Sequence, residues 1–248
     1  MQGYIEDKHK AQYDYSLSLI NPFQSFGARC PTAIPIETAT AHIEYNTDFA
    51  PNASGRFLIV ADPMKNELLL YNDAALTGAG AVGASTSIAL GQDATVIDMY
   101  RLVSYGIRLT YQGDIQTHKG YIVAAVTSNL SNEDFRIFSN IENLHTKTRM
   151  VPLEGAYLKY VPVDPDQLDF KPNTVHSGNT HTSNNKQVLI IYGANLPTTA
   201  SFRLDIVRNI EYVSRPSLRE YINHSCGQSF SIQNINLDIP KASQISKG

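Results

Sequence analysis

Residues 101–113 read RLVSYGIRLTYQG, and this stretch decides the fold class. Apolar residues occupy every second position from Val103 to Tyr111, and the residues between them are small or polar. Alternation with period 2 is typical of a β-strand that places one face on a core and the other face outward. A Gly113-Asp114 turn signal and a second apolar run, residues 120–126, follow directly. The stretch therefore predicts two consecutive strands of a sheet.

Five more strands are predicted around this pair. Residues 38–46 and 201–213 alternate, whereas residues 56–61 and 186–192 are continuously apolar, which indicates strands covered on both faces. Residues 67–76 are predicted as either a short helix or an irregular strand. The seven predicted strands are residues 38–46, 56–61, 100–113, 120–126, 156–163, 186–192 and 201–213. We expect one core to receive the alternating side chains of Val103, Tyr105, Ile107, Leu109, Phe202, Leu204 and Ile206.

The spacing of these strands predicts an all-β fold, since many strands are separated by turn clusters without a long amphipathic helix. Short turns alternate with long excursions at residues 64–95, 127–153 and 167–185. This suits an eight-stranded antiparallel jelly-roll sandwich with short helical turns in its long loops, because jelly-roll strands cross between two sheets. The predicted domains are residues 1–35 as an irregular arm or peripheral segment, 36–215 as the jelly roll and 216–248 as a tail.

The bulk composition sets limits on function. With 248 residues, 42% of them hydrophobic, the chain can bury a core, and its net charge of −3 gives no general reason to expect nucleic-acid binding. Cys30 and Cys226 have no metal or redox spacing and are predicted to be reduced thiols, with a pairing between the chain ends as the alternative. The first ten residues lack the apolar core of a signal peptide, and no apolar run approaches the roughly 20 residues that span a bilayer. We therefore expect a soluble protein with no membrane partner.

The central strands resemble a known family. Residues 103–113 and 120–125 follow the pattern V-S-x-G-h-R-h-x-Y-x-G, then G-x-h-h-x-A, where h is apolar. This pattern resembles the central strands of single jelly-roll capsid proteins of small icosahedral viruses, of the nodavirus and tombusvirus type, with relatives among small DNA viruses of algae. Residues 208–212, RNIEY, also resemble the close of the last strand in that family.

The resemblance covers residues 36–215 and implies a structural protein, not an enzyme. Many identical subunits would assemble inside the host cell into an icosahedral virion shell that encloses a viral genome. One departure concerns nucleic acid, because many such proteins begin with an Arg/Lys-rich arm that neutralises packaged phosphates. Residues 1–35 contain no such run, which puts nucleic-acid contact by this chain in doubt.

A candidate metal site lies in the motif VDPDQLD. Asp164, Asp166 and Asp169 carry carboxylate oxygens that suit a hard cation, and calcium at subunit contacts occurs in the family that this chain resembles. These three aspartates are therefore candidate Ca²⁺ ligands at a subunit contact. The alternative is a solvated acidic turn shaped by Pro165. No other cofactor is expected.

The remaining motifs favour no enzymatic site. Residues 78–83 spell G-x-G-x-x-G, but no strand leads into the first glycine and no βα pattern follows, which favours a small-residue loop over a nucleotide site. His176 and His181 lie in a polar loop and form no metal-binding motif. The main alternative to a capsid protein is a lectin-like β-sandwich binding module. A cupin-type enzyme comes third, because it would need clustered His and Glu ligands.

Overall fold

The computed structural model describes residues 2–31, 37–65, 67–72, 76, 86–89, 96–127, 138–144, 146–162, 164–172, 187–222, 225–226 and 245–246. Within these ranges the chain forms two antiparallel sheets that pack face to face around a common apolar core, with two α-helices and several 3₁₀ turns in the connections. The predicted fold class, an all-β jelly-roll sandwich, is confirmed.

The elements have the following bounds. The helices are α1 (Gln2–Ile20) and α2 (Phe138–Glu142). The strands are β1 (Glu37–Phe49), β2 (Phe57–Ala61), β3 (Glu67–Tyr71), β4 (Thr86–Ala89), β5 (Ile97–Tyr111), β6 (Tyr121–Thr127), β7 (Thr148–Met150), β8 (Ala156–Tyr160), β9 (Lys171–Pro172), β10 (Val188–Ala194), β11 (Phe202–Ser214), β12 (Ser225–Cys226) and β13 (Ile245–Ser246).

The order of strands in the two sheets identifies the jelly roll. The larger sheet runs β12-β1-β11-β5-β8-β13, with β9 also paired to β5, and the smaller sheet runs β4-β3-β2-β10-β6-β7. When β1, β2, β5, β6, β7, β8, β10 and β11 are counted as one to eight, the sheets contain 1-8-3-6 and 2-7-4-5. That interleaving is the double Greek key of a jelly roll. The other strands extend the sheets, so the described chain has more than the eight predicted strands.

The smaller sheet is covered on both faces, as the continuously apolar runs predicted. Phe57 and Ile59 of β2 enter the core between the sheets, whereas Leu58 and Val60 point to the opposite face. There they join a second apolar cluster that includes Ile141 of α2. The same arrangement holds for β10, of which every residue is buried.

The prediction for the shared core was correct at six positions and wrong at one. The side chains that enter the core as predicted are Tyr105, Ile107, Leu109, Phe202, Leu204 and Ile206. Val103 does not, because β5 has a bulge there: Asn209 of β11 lies opposite Ser104, and the next residue, Ile210, lies opposite Leu102. The extra residue of a bulge is left out of the ladder and shifts the alternation of its strand. Leu102 therefore takes the inward position, and Val103 faces outward.

Two local predictions need correction. Residues 1–35 were expected to be irregular, but residues 2–20 form α1, which packs on the larger sheet. The excursion at residues 127–153 contains the three-residue strand β7, which was not predicted. Residues 67–71 form a strand, which is one of the two predicted alternatives. The division into arm, jelly roll and tail stays a prediction. None of the helices in the described ranges is long and apolar enough to cross a membrane.

The edges of the larger sheet are only partly paired within the described ranges. On the side of β1 that faces away from β11, the two residues of β12 pair with Glu37 and Thr38. On the opposite edge, β13 pairs with Leu158 and Tyr157 of β8. The described C-terminal segments thus add short strands to both edges of the same sheet.

Candidate functional site

The outer face of the larger sheet, which points away from the core, is covered by residues 2–31, here called the N-terminal segment. Tyr15 and Leu19 of α1 are about 2% and 1% exposed. They pack with Cys30, with Val103 of β5 and with Leu168. The bulge in β5 makes this packing possible, because it turns the side chain of Val103 towards the helix.

A buried carboxylate joins the N-terminal segment to three strands. Glu211 of β11 is only 1% exposed. Its Oε2 atom accepts hydrogen bonds from Arg101 Nε at 2.9 Å and from the backbone N–H of Cys30 at 3.1 Å. Its Oε1 atom accepts from Thr38 Oγ1 at 2.6 Å and from Arg29 Nη1 at 3.4 Å. Each oxygen therefore has one partner in the N-terminal segment and one in the sheet.

Arg101, the cross-strand partner of Glu211, uses the rest of its guanidinium group on backbone carbonyls. Its Nη1 donates to Leu168 O at 3.1 Å and its Nη2 donates to Cys30 O at 3.1 Å. The guanidinium carbon lies 4.5 Å from the ring centre of Phe170. A buried ion pair is tolerated when its remaining donors are bonded, as they are here.

A second polar cluster holds the segment nearer to β1. Asn209 Nδ2 donates to Pro22 O at 2.9 Å and to Ser104 Oγ at 2.8 Å. Its Oδ1 lies 2.6 Å from His42 Nδ1, which is also 3.1 Å from Ser25 O. The outer face therefore contacts the N-terminal segment through both apolar and polar groups.

Cys30 carries a free thiol, as predicted. Its Sγ donates to Leu102 O at 3.4 Å. Burial raises the pKa of the thiol to about 12, with the nearby Arg101 guanidinium opposing part of that rise. Because the thiolate is the reactive form, this cysteine is a structural residue and not a nucleophile.

Four turns lie together at one end of the sandwich, here called the turn end. Leu196 N donates to Gly55 O at 3.0 Å, and Gln112 N donates to Ser201 O at 2.8 Å. These bonds join the connection at residues 195–201 to the connections at residues 50–56 and 112–120. The turn end consists of residues 50–56, 112–120, 151–155 and 195–201.

Exposed apolar side chains mark the turn end. Ile115 is 69% exposed, Val151 46% and Leu153 39%. The connection at residues 151–155 packs against the end of β5, since an added Cβ atom at Gly155 would lie 2.5 Å from Leu109 O, and residues 112–120 follow directly after that strand. Across the described residues, the other large exposed apolar side chains all belong to the N-terminal segment: Tyr13, Ile20 and Phe26. Exposed apolar side chains at one end of the sandwich are candidates for an interaction surface.

The candidate calcium ligands lie in a 3₁₀ turn, Pro165–Leu168, and at its two ends. Asp164 Oδ1 accepts a hydrogen bond from Asp166 N at 3.0 Å and caps the turn, while Asp166 and Asp169 are exposed. Throughout the described ranges, no three His, Cys, Asp or Glu side chains lie close enough to hold a metal ion. Calcium at this position would need ligands from a second subunit, and it stays a prediction. Residues 78–83, His176 and His181 lie outside the described residues.

Sequence reasoning missed Glu211 and Asn209 as organising residues. Both occupy polar positions of an alternating strand, which predicts exposure to solvent. One signal could have identified Glu211: when β5 and β11 are paired, Arg101 and Glu211 lie directly opposite each other with opposite charges. The groups of the N-terminal segment that cover them belong to Pro22, Arg29 and Cys30, which are remote in sequence from β11.

Solved structures of infectious bursal disease virus share this architecture. The structure of the Gt strain aligns with a TM-score of 0.68 at 10% identity, over 94% of this chain and 97% of that chain. A crystal structure of the viral particle aligns with a TM-score of 0.66 at 11% identity, over 94% and 91%. T=1 particles derived from the virus give 0.64 at 11% identity, over 88% of each chain. No protein-family model and no curated protein matches this chain. The similarity establishes the fold, which is that of viral capsid proteins.

Proposed function

We propose that this chain is a structural capsid protein whose copies assemble into an icosahedral virion shell. The observation that carries the proposal is a jelly-roll sandwich whose turn end carries the exposed apolar side chains of Ile115, Val151 and Leu153. The solved viral particles with the same fold support it. The virion is the proposed location, and assembly inside the host cell is part of the same proposal.

The physical basis is repetition of modest contacts. Ile115, Val151 and Leu153 would leave water where the turn ends of several copies meet around a symmetry axis. Each contact is small, but a closed shell holds every subunit through several of them at once, which raises the overall stability strongly. A binding module would use such a patch for one partner and stay small.

We propose that the genome is enclosed and not gripped by the outer face of the larger sheet. Arg108 Nη2 lies 3.0 Å from Asp205 Oδ2, and Arg203 Nε lies 3.0 Å from Asp205 Oδ1. Both guanidinium groups are therefore paired with a carboxylate of the same sheet. A phosphate would have to compete with Asp205 for them, which weakens this face as a nucleic-acid site.

The test is the mass of the purified protein and the appearance of its particles. Light scattering after size exclusion and negative-stain microscopy should show closed particles of megadalton mass built from the 27.4 kDa chain. Ile115→Asp should prevent particle formation without unfolding the subunit, because residue 115 is 69% exposed. Gln116→Asp is the matched control, since it adds the same charge to the same exposed turn but keeps the apolar group.

The lectin-like alternative predicts a different result. A binding module should stay monomeric or dimeric at high concentration across pH and salt, and both variants should then behave like the parent. That outcome would overturn the shell proposal.

A further inference from the structure

The free edge of β1 is the starting point. From Ala39 to Phe49 the strand pairs with β11 without any register shift. Its other edge is met, among the residues that the structure describes, only by β12 at Glu37 and Thr38. An unpaired edge offers a row of backbone N–H and C=O groups to another strand. The sequence of β1, ETATAHIEYNTDF, contains neither the Pro nor the Lys that usually blocks such pairing.

The side chains of β1 also leave part of the core open. Ala41, Ile43 and Tyr45 pack against the main core but are only partly buried, unlike their counterparts on β5 and β11. An additional strand beside β1 would cover them. β12 shows that this edge accepts an antiparallel strand, and the pairs that the structure describes lie at Glu37 and Thr38, outside residues 39–47.

We propose that β1 pairs with β1 of a second copy, antiparallel, across a two-fold axis at Ile43. Such an axis keeps each face of the sheet continuous, since residue i lies opposite residue 86 − i of the partner copy. Residues 39–47 of both copies can then pair, and the two larger sheets become one sheet. The same surface is used on both copies, as an isologous dimer contact requires.

The sequence favours this register by complementarity. On the core side, Ile43 meets its own copy and Ala41 meets Tyr45. On the outer side, His42 lies opposite Glu44 twice, so an imidazole faces a carboxylate on both sides of the axis. Within one chain His42 Nε2 already lies 2.9 Å from Glu44 Oε1, and the Glu44 side chain is 62% exposed and available to a partner.

Two-fold axes at the neighbouring residues would give less favourable side-chain pairs. An axis at Glu44 would place two carboxylates directly opposite each other, which is destabilising in a sheet. An axis at His42 would set two imidazoles together and shorten the pairing to residues 39–45. An axis at Tyr45 would keep an aromatic pair at the centre but place Ile43 opposite the polar Thr47 and set Glu44 opposite Asn46.

The inference deepens the proposed function by naming one contact between subunits, and it rests on that function only for the number of copies that assemble. A cysteine cross-link tests it. Directly opposed residues have Cβ atoms about 4.5–5.5 Å apart, close to the span of a disulfide. Ile43→Cys in a Cys226→Ser background should therefore oxidise to a covalent dimer, while the native Cys30 is buried and does not compete.

Thr47→Cys in the same background is the control. The two copies of residue 47 would lie eight residues apart along the paired strands, or roughly 27 Å, and should not cross-link. A second readout uses charge: Glu44→Lys should slow the Ile43→Cys cross-link about fivefold, because both His42 pairs are lost. Asp48→Lys makes the same charge change on an exposed residue outside the paired range and should leave the rate unchanged.

The outcomes separate the two proposals. Cross-linking at residue 43 but not 47, slowed by Glu44→Lys alone, supports the pairing whether or not particles form. Particles without that cross-link overturn the pairing and leave the shell proposal intact. If neither particles nor the cross-link form, both proposals are overturned.

Discussion

The ion pair between Glu211 and Arg101 offers the most informative perturbation of the fold. Glu211→Gln keeps the size of the side chain but removes the charge that four donors surround. Arg101 is only 5% exposed, so its guanidinium would remain buried without its carboxylate. Removing one partner of a buried pair costs about 3–5 kcal/mol. For a chain of this size that corresponds to a fall in Tm of roughly 10 °C.

The assay is thermal unfolding at one fixed protein concentration, because assembly makes Tm depend on concentration. Glu220→Gln is the matched control: it makes the same change in an exposed side chain outside both contacts, and its Tm should stay within about 1 °C. Hydrogen exchange adds a local readout. The amide of Cys30 donates to Glu211 and should exchange faster in Glu211→Gln than in the parent.

A double-mutant cycle decides whether the pair is the cause. Arg101→Met combined with Glu211→Leu replaces the pair by apolar groups and should be much less destabilised than the sum of the two single changes. A fall of less than about 2 °C in Glu211→Gln, or additive losses in the cycle, would refute the assignment of Glu211 as the centre of this contact.

Two further predictions concern the core and the metal. Ile107→Asp would bury a carboxylate at a fully enclosed position and should abolish cooperative folding, measured by urea denaturation. Thr110→Asp, on the exposed side of the same strand, should not. A soluble, cooperatively folded Ile107→Asp protein would contradict the strand assignment. If Asp164, Asp166 and Asp169 share calcium with a second subunit, a chelator should swell the particles and replacement of all three by Asn should remove that response; particles that ignore the chelator with or without the substitutions would assign these aspartates to a solvated turn.

The strands with strong patterns could be predicted from the sequence. The continuous apolar runs that became β2 and β10 are buried on both faces, and the alternation of β5 and β11 gave their inward side chains correctly from Tyr105 to Leu109 and from Phe202 to Ile206. These predictions hold because burial of one or both faces leaves a direct trace in the period of the sequence.

The failures have physical reasons. Strand β7 has three residues, too few to show a period. Helix α1 carries no long apolar stripe, and among its described side chains, residues 10–20, the buried ones are Tyr15, Ser18 and Leu19. Glu211 stands in a polar position and is buried only because a distant part of the chain covers it. Contacts between segments remote in sequence leave no local pattern to read.

The bulge in β5 has a consequence for changes in chain length. Losing one residue from the middle of a strand normally turns every side chain on one side of the gap to the wrong face. Here Val103 is outside the ladder, and its neighbours Leu102 and Ser104 already face the residues that they would face without it. A deletion of Val103 would therefore leave the same side chains of β5 in the core and remove only a side chain that packs against α1. The strand therefore contains one residue that its ladder does not need. A loss of that residue would affect the packing of α1 but not the pairing within the sandwich.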